Sequence, residues 1–245
     1  MTAGTPAIAL LGAGEFDPWT ASLDRWLVGR EGAPGERVLV LPTASAAEGD
    51  DVFDMWARKA LEHYATLGIQ AEVLPLKTRE DAARPELVAA LDDAAVAYFS
   101  GGNPAYLSSV LNGSPFWEAL LTALGRGMAY AGCSAGVACL GDIAPDSARE
   151  EFDEELWQPG LRLFPGYWFG PHWDALDGFA PGLTDFIVSS VPEGKTLVGI
   201  DENTAMVGDG QAWSVAGVGG VHVMTEREWI HHEAGASFDL PLLPA

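Results

Sequence analysis

Short apolar runs of strand length, at Ala7–Leu11 and residues 38–41, 71–76 and 95–99, alternate with stretches whose apolar residues recur every three to four positions. Those stretches are residues 19–29, 52–67, 85–92 and 116–124. Runs that stay apolar throughout suit strands covered on both faces, and the three-to-four spacing marks one stripe of a helix. Gly68 and Gly125 stand where two of the helical patterns stop. The alternation predicts an α/β fold: a three-layer sandwich with a mostly parallel central sheet, and function at the carboxyl ends of its strands. Three loops converge there in this reading: Pro42-Thr43-Ala44-Ser45, Ser100-Gly101-Gly102-Asn103, and the turn after the apolar run ending at Ala131. After residues 181–191 the pattern changes. Thr196–Ile200 and residues 204–207, 212–215 and 221–224 are short, turn-separated runs, which predict a strand-rich C-terminal section with hairpins. No internal repeat or low-complexity stretch interrupts the 245 residues, which read as one domain, 1–245.

The turn after Ala131 carries Gly132-Cys133-Ser134-Ala135-Gly136, a G-x-S-x-G pattern between an apolar run and a run of small residues. Strand, sharp turn and helix in that order form a nucleophile elbow, which exposes the central serine while glycines let neighbouring backbone pass. Ser134 is the candidate nucleophile. Cys133 is one position early, because a motif centred there would need glycines where Ala131 and Ala135 stand.

Composition narrows the function classes. Lys and Arg number 13 against 35 Asp and Glu, a net charge of −22, which argues against nucleic acid or an anionic membrane as partner. The densest acidic run, residues 150–155, is read as a solvated face. No run reaches membrane length, and Met1-Thr2-Ala3-Gly4-Thr5-Pro6 carries no basic region, so a cytoplasmic location is expected. Cys133 and Cys139 give neither a disulfide framework nor a metal-ligand pattern, and no HExxH-type spacing occurs; the reading includes no metal and no cofactor. Gly12-Ala13-Gly14 gives only a weak dinucleotide-binding signal, since no ribose-binding acid follows at the expected spacing.

A serine nucleophile needs a base. His63 sits in a helical pattern and reads as a surface residue. His231 and His232 are adjacent and on a strand point to opposite faces. His222 lies between valines and reads as a hydrogen-bonded core residue. His172, in the turn-rich Phe169-Gly170-Pro171-His172-Trp173 after a strand-like run at 161–164, can be presented from a loop. For the carboxylate that orients it, Asp142, Asp174, Asp201 and Glu202 are candidates, and spacing does not choose among them. Asp201 and Glu202 follow the apolar run Leu197-Val198-Gly199-Ile200, which would bring one of them to the functional edge of the sheet.

The ordered landmarks resemble the dipeptidase E and cyanophycinase family of serine peptidases, whose fold is related to class I glutamine amidotransferases. They are Leu11-Gly12-Ala13-Gly14-Glu15-Phe16, Leu41-Pro42-Thr43-Ala44-Ser45, Phe99-Ser100-Gly101-Gly102-Asn103, the elbow, Leu163-Phe164-Pro165 leading to Pro171-His172, and Gly199-Ile200-Asp201-Glu202-Asn203-Thr204-Ala205. The resemblance implies a Ser134–His172–Glu202 triad, with the backbone N–H groups of Gly102 and Ala135 forming the oxyanion hole. The order Ser…His…Glu differs from that of α/β-hydrolases, which run Ser…Asp/Glu…His; that fold would use Asp142 or Asp174 with His222.

Two departures bear on specificity. Pro104 stands where the family often has glutamine, and the arginines that follow the histidine in the family's aspartyl dipeptidases and cyanophycinases are missing: no Lys or Arg lies between Arg162 and Lys195. Aromatic residues take their place. Asn103, Tyr167, Trp168 and Trp173 are therefore assigned to substrate binding, beside Phe169 and Phe179. Arg149 and Arg162 are the cations that could reach in, although Arg149 sits by the acidic run and is more simply paired there. The expected activity is that of a serine exopeptidase on short peptides, poor on Asp-X dipeptides. The alternatives are a cyanophycinase-like or other amide hydrolase and a catalytically silent amidotransferase-like binding module. A homodimer is left open.

Overall fold

The computed structural model describes residues 7–149 and 151–242. Residues 1–6, read above as lacking a basic region, and Glu150 of the acidic run lie outside them. Five strands run parallel: β1 (Ala7–Leu11), β2 (Arg37–Leu41), β3 (Ala71–Val73), β4 (Ala94–Phe99) and β5 (Ala129–Cys133), side by side in the order β1-β5-β4-β2-β3. Every residue of β1, β4 and β5 is buried, as their unbroken apolar runs require. Successive side chains leave opposite faces of the sheet. Ile8 and Leu10 thus join Phe99 and Tyr130 in one core, while Ala7, Ala9 and Leu11 join Tyr98 and Ala131 in the other. Helices α1 (Ala21–Val28) and α2 (Asp50–Leu67) cover the second core; α3 (Pro85–Ala89), α4 (Pro104–Leu111) and α5 (Pro115–Leu124) cover the first. Two cores on the two faces of one sheet make the three layers.

Beyond β5 the chain forms a short helix, α6 (Ala135–Ala138), and then a two-stranded ladder of β6 (Ile143–Pro145) and β7 (Trp157–Pro159). Next come β8 (Tyr167–Pro171), the helices α7 (Leu176–Phe179) and α8 (Leu183–Ser190), and β9 (Thr196–Ile200), which pairs in parallel with β8. β10 (Thr204–Gly208) and β11 (Ala212–Gly217) return to the central sheet, antiparallel at the β1 edge, and β14 (Ser237–Asp239) closes it. Between them β12 (Gly220–Thr225) and β13 (Glu228–Glu233) extend the smaller sheet. The strand orders are β14-β11-β10-β1-β5-β4-β2-β3 and β13-β12-β9-β8. Among the described residues no helix is long and apolar enough to cross a membrane.

Several elements differ from the sequence reading. The third strand stops at Val73, because Pro75 has no N–H to continue the ladder; Leu74 and Leu76 stay buried without it. The run at 161–164 is no strand. The strand that delivers His172 is β8, beginning at Tyr167. β9 lies in the smaller sheet rather than the central one, so Asp201 and Glu202 arrive from a second sheet. His63 is buried, with Nε2 2.8 Å from Asp24 Oδ2, because it shares the inward face of α2 with Phe53, Ala60 and Tyr64. The periodicity reading contained no α4, whose start is set by Asn103 accepting the Tyr106 N–H and by Pro104 in the first turn.

Candidate active site

The elbow is built from backbone close to Ser134 in sequence and from the two strands that flank β5, β4 and β1. A Cβ on Gly132 would fall 2.3 Å from the Gly136 carbonyl oxygen, and one on Gly136 would fall 2.5 Å from the Phe99 carbonyl oxygen. Only glycine fits at either place. Between them Ser134 adopts φ 50° and ψ −109°, a conformation that costs about 1–3 kcal/mol and that the surrounding structure enforces. The Ser134 N–H donates to the Leu11 carbonyl at 3.1 Å, fixing the turn to β1. Cys133 points into the core, fully buried; burial, and then the nearby Glu15 carboxylate, push its thiol well above its ordinary value, which makes it a poor nucleophile.

β8 and β9 pair with Pro171 opposite Ile200, so the residues that follow each strand emerge side by side. His172, at φ 55°, and Glu202 meet there, Nδ1 lying 2.8 Å from Oε1. The other ring nitrogen, Nε2, lies 2.9 Å from Ser134 Oγ. Asp174 takes a different part: its Oδ1 accepts the Glu202 N–H at 2.8 Å. Asp201 turns the opposite way, with Oδ1 2.8 Å from His222 Nε2 and Oδ2 accepting the Gly220 N–H. His222 Nδ1 in turn lies 2.6 Å from His231 Nδ1, so both its ring nitrogens are engaged; it is half-buried, while His232 stacks on Phe238. Asp142 is held by Lys195 at 2.6 Å and Arg162 at 3.4 Å.

The Ser100–Asn103 loop passes beside the serine. A Cβ on Gly101 would stand 3.7 Å from Ser134 Oγ, and Gly102, at φ 137°, lies so close to Ala44 that a Cβ there would collide with backbone. The Asn103 N–H donates to the Ala44 carbonyl at 2.9 Å, tying this loop to the one after β2. Ala135 is the first residue of α6, where an N–H has no acceptor within the helix.

A cavity of about 610 Å³ opens from Ser134 and His172. Its walls are mainly apolar and include Pro104, Ile143, Trp157, Trp168 and Leu183. Phe179, 64 % exposed, and Phe152, 37 % exposed, also line it, and Phe179 stands edge-on to the His172 ring. Of the residues assigned to substrate binding from sequence, Trp168 lies here; Asn103, Tyr167 and Trp173 do not. The Asn103 side chain caps α4 and donates to Asp146. Tyr167 packs against the main core, its hydroxyl on the Pro241 carbonyl. Trp173 lies flat across Gly170 and Gly199 of the smaller sheet, against Trp229. Arg149 lines the cavity and is paired, with Asp153 at 3.0 Å and Glu155 at 2.9 Å.

Sequence reasoning passed over two contributors and gave a third, Asp174, only as a candidate partner for His172. The cavity wall at Ile143, Phe152 and Trp157 belongs to short, irregular elements with no periodicity to read. Asp174 supports Glu202 through its backbone N–H, a contact that spacing does not encode. Glu15 carried a visible signal, an acid in a turn of small apolar residues, and received no role.

The sequence matches the profile of Peptidase family S51 over residues 8–215. It is similar to the cyanophycinase of Nostoc sp. (strain PCC 7120), 25 % identical over 232 residues that cover 92 % of this chain and 75 % of the relative. It is also similar to the cyanophycinase of Synechococcus elongatus, 28 % identical over 196 residues, 77 % of this chain and 58 % of the relative. Among solved structures, a peptidase from an acI-B1 Actinobacterium superposes with a TM-score of 0.86 at 30 % identity over 97 % of both chains. A putative peptidase E from Listeria monocytogenes EGD-e shares the fold, with a TM-score of 0.60 at 17 % identity over 94 % of this chain and 99 % of that one.

Proposed function

Because the chain belongs to peptidase family S51, we propose that it is a serine exopeptidase, hydrolysing short peptides through Ser134, His172, Glu202 and an acyl-enzyme. The observation that carries this reading is the unbroken chain from Oγ to Nε2 at 2.9 Å and from Nδ1 to Glu202 at 2.8 Å. His172 Nε2 takes the Ser134 proton as Oγ bonds to the peptide carbonyl carbon. Glu202 holds the ring in the tautomer with its proton on Nδ1 and stabilises the imidazolium. The carbonyl oxygen becomes an oxyanion, received by the N–H groups of Gly102 and Ala135. As the C–N bond breaks, the imidazolium gives its proton to the leaving amine. Water, deprotonated by His172, then releases the acid and restores Ser134.

The cavity sets the substrate side. An aspartate side chain in an apolar enclosure needs a cation of its own, since an unpaired buried carboxylate is costly. Arg149 is the cation on the wall, and two carboxylates already occupy it. The exposed rings of Phe152 and Phe179 offer apolar surface that a bound side chain would cover. Phe-Leu and Met-Leu are therefore cleaved with higher kcat/KM than Asp-Leu. Steady-state kinetics on the free and the amino- and carboxyl-blocked dipeptides test this, and a clear preference for Asp-Leu refutes it and returns attention to Arg149. A second reading, a cyanophycinase-like amide hydrolase, is favoured by the identity to the two cyanophycinases; hydrolysis of arginine-bearing substrates in preference to apolar dipeptides would support it.

A further inference from the structure

Glu15 is 3 % exposed, and among the described residues no Lys, Arg or His pairs with it. A carboxylate without a cation stays buried only if hydrogen-bond donors surround it. Two do. Glu15 Oε1 accepts the Gly101 N–H at 2.9 Å, and Oε2 accepts the Cys133 thiol at 2.9 Å. These donors sit one residue before Gly102 and one residue before Ser134, in the two separate segments that together flank the reacting carbonyl.

We infer that Glu15 is a positioning residue, one carboxylate that holds the Gly101-Gly102 loop and the Ser134 elbow in register so that the Gly102 and Ala135 N–H groups converge on one point. The inference rests on the acyl-transfer reading above. The geometry supports it at both ends. Gly102 is bracketed by two fixed amides, Gly101 on Glu15 and Asn103 on the Ala44 carbonyl. Ser134 is bracketed likewise, with the Cys133 side chain on Glu15 and its own N–H on Leu11. An acid suits this place better than its amide, because a carboxylate accepts at both oxygens whereas glutamine would present a donor to one of the two donors already there. Glu15 itself follows β1, the strand paired with β5, so the brace stands on the same sheet as the elbow it steadies. A Cβ on Gly101 would stand 3.3 Å from Glu15 Oε1 and 3.4 Å from Ser134 Cβ, so the brace lies close to the elbow; the proton path runs through His172 and does not use it.

Glu15→Leu removes both acceptors at similar volume; Glu15→Gln keeps one. A displacement near 1 Å at a reacting centre costs about 100-fold, so Glu15→Leu is expected to lower kcat by about that factor, with Glu15→Gln in between. KM moves by less than about threefold, because the oxyanion hole that Glu15 aligns acts on the transition state and not on the bound substrate. Affinity for a peptidyl boronate falls in step with kcat, while affinity of an unreacted peptide, measured in the Ser134→Ala background, is unchanged by adding Glu15→Leu. The backbone N–H resonance of Gly101 shifts upfield in Glu15→Gln, a readout that needs no turnover. Wild-type kcat in a folded Glu15→Leu protein, or a loss confined to KM, overturns the inference; if Glu15→Leu fails to fold, wild-type kcat in Glu15→Gln does the same. An inactive wild type that a serine-directed phosphonate does not label refutes the acyl-transfer reading instead, and an unmoved Gly101 resonance then overturns the brace as well.

Discussion

The central sheet and the smaller sheet each supply half of the proposed site, and they do so by different means. The central sheet gives Ser134, Gly102 and Ala135 through backbone: steric contacts at Gly132 and Gly136, and N–H bonds to Leu11 and Ala44. The smaller sheet gives His172 and Glu202 through strand register, with Asp174 under the Glu202 N–H. The first half is held by main chain packed so closely that Gly132, Gly136 and Gly102 have no room for a Cβ. The second depends on two strands staying paired across an intervening segment with two helices, and on the seam between the sheets. Part of that seam is polar: Asp142, just beyond α6, accepts from Lys195 Nζ and the Gly166 N–H, and its own N–H donates to the Tyr167 carbonyl. The rest is apolar, since Phe169, Val198 and Ile200 share one core with Tyr130 and Val137. Ser134 and His172 both stand at positive φ, the first held by fixed local backbone and the second, the proposed base, by longer-range pairing.

The largest effect expected falls on the central-sheet half. Ser134→Ala should abolish hydrolysis and phosphonate labelling, a loss of about 10⁶-fold by comparison with other serine triads, whereas Cys133→Ala should still be labelled at Ser134. Full activity in Ser134→Ala would remove the nucleophile assignment.

On the other side, Glu202→Gln should lower kcat by about 10³- to 10⁴-fold with little change in KM, because it disturbs the imidazole tautomer rather than the cavity. Asp201→Asn should do much less, as its partners are His222 and Gly220. The reverse ranking in steady-state kinetics would move the acid to Asp201.

Gly136→Ala separates the two halves by stability. Its Cβ would meet the Phe99 carbonyl, so a cost of about 1–3 kcal/mol in urea unfolding is expected, together with lost activity as the elbow shifts. An alanine variant with unchanged midpoint and kcat would mean that the elbow is softer than its close packing implies.

The smallest effect concerns the seam. Partial burial pushes the Asp142 carboxyl up, but the Lys195 ammonium, the Gly166 N–H and Arg162 outweigh this and hold it below its ordinary value. A lowered folded-state pKa contributes stability above the ordinary carboxylate range, and that contribution is lost as pH falls through the lowered value. Lys195→Met should accordingly cost less than about 1 kcal/mol at neutral pH, and the difference in Tm from wild type should vanish in acid. A difference that grows on acidification would contradict this pairing.

What the sequence determined by itself was local or periodic. The parallel strands were legible because burial on both faces leaves unbroken apolar runs, as in β1 and β4, and the elbow because its glycines answer close approaches of backbone a few residues or one strand away. His172 stood out through its loop context, although the strand that delivers it lay several residues further on than the pattern at 161–164 suggested. Only the tertiary structure decided the rest. Periodicity does not say which sheet a strand joins, so it could not place β9 in the smaller sheet or turn Trp173 across Gly170 and Gly199, away from the cavity. Nor could it bury His63, whose partner Asp24 lies on another helix. Glu15 joins a loop 86 residues away and the end of β5 118 residues away, and a hydrogen bond across that separation leaves no spacing for a sequence to display.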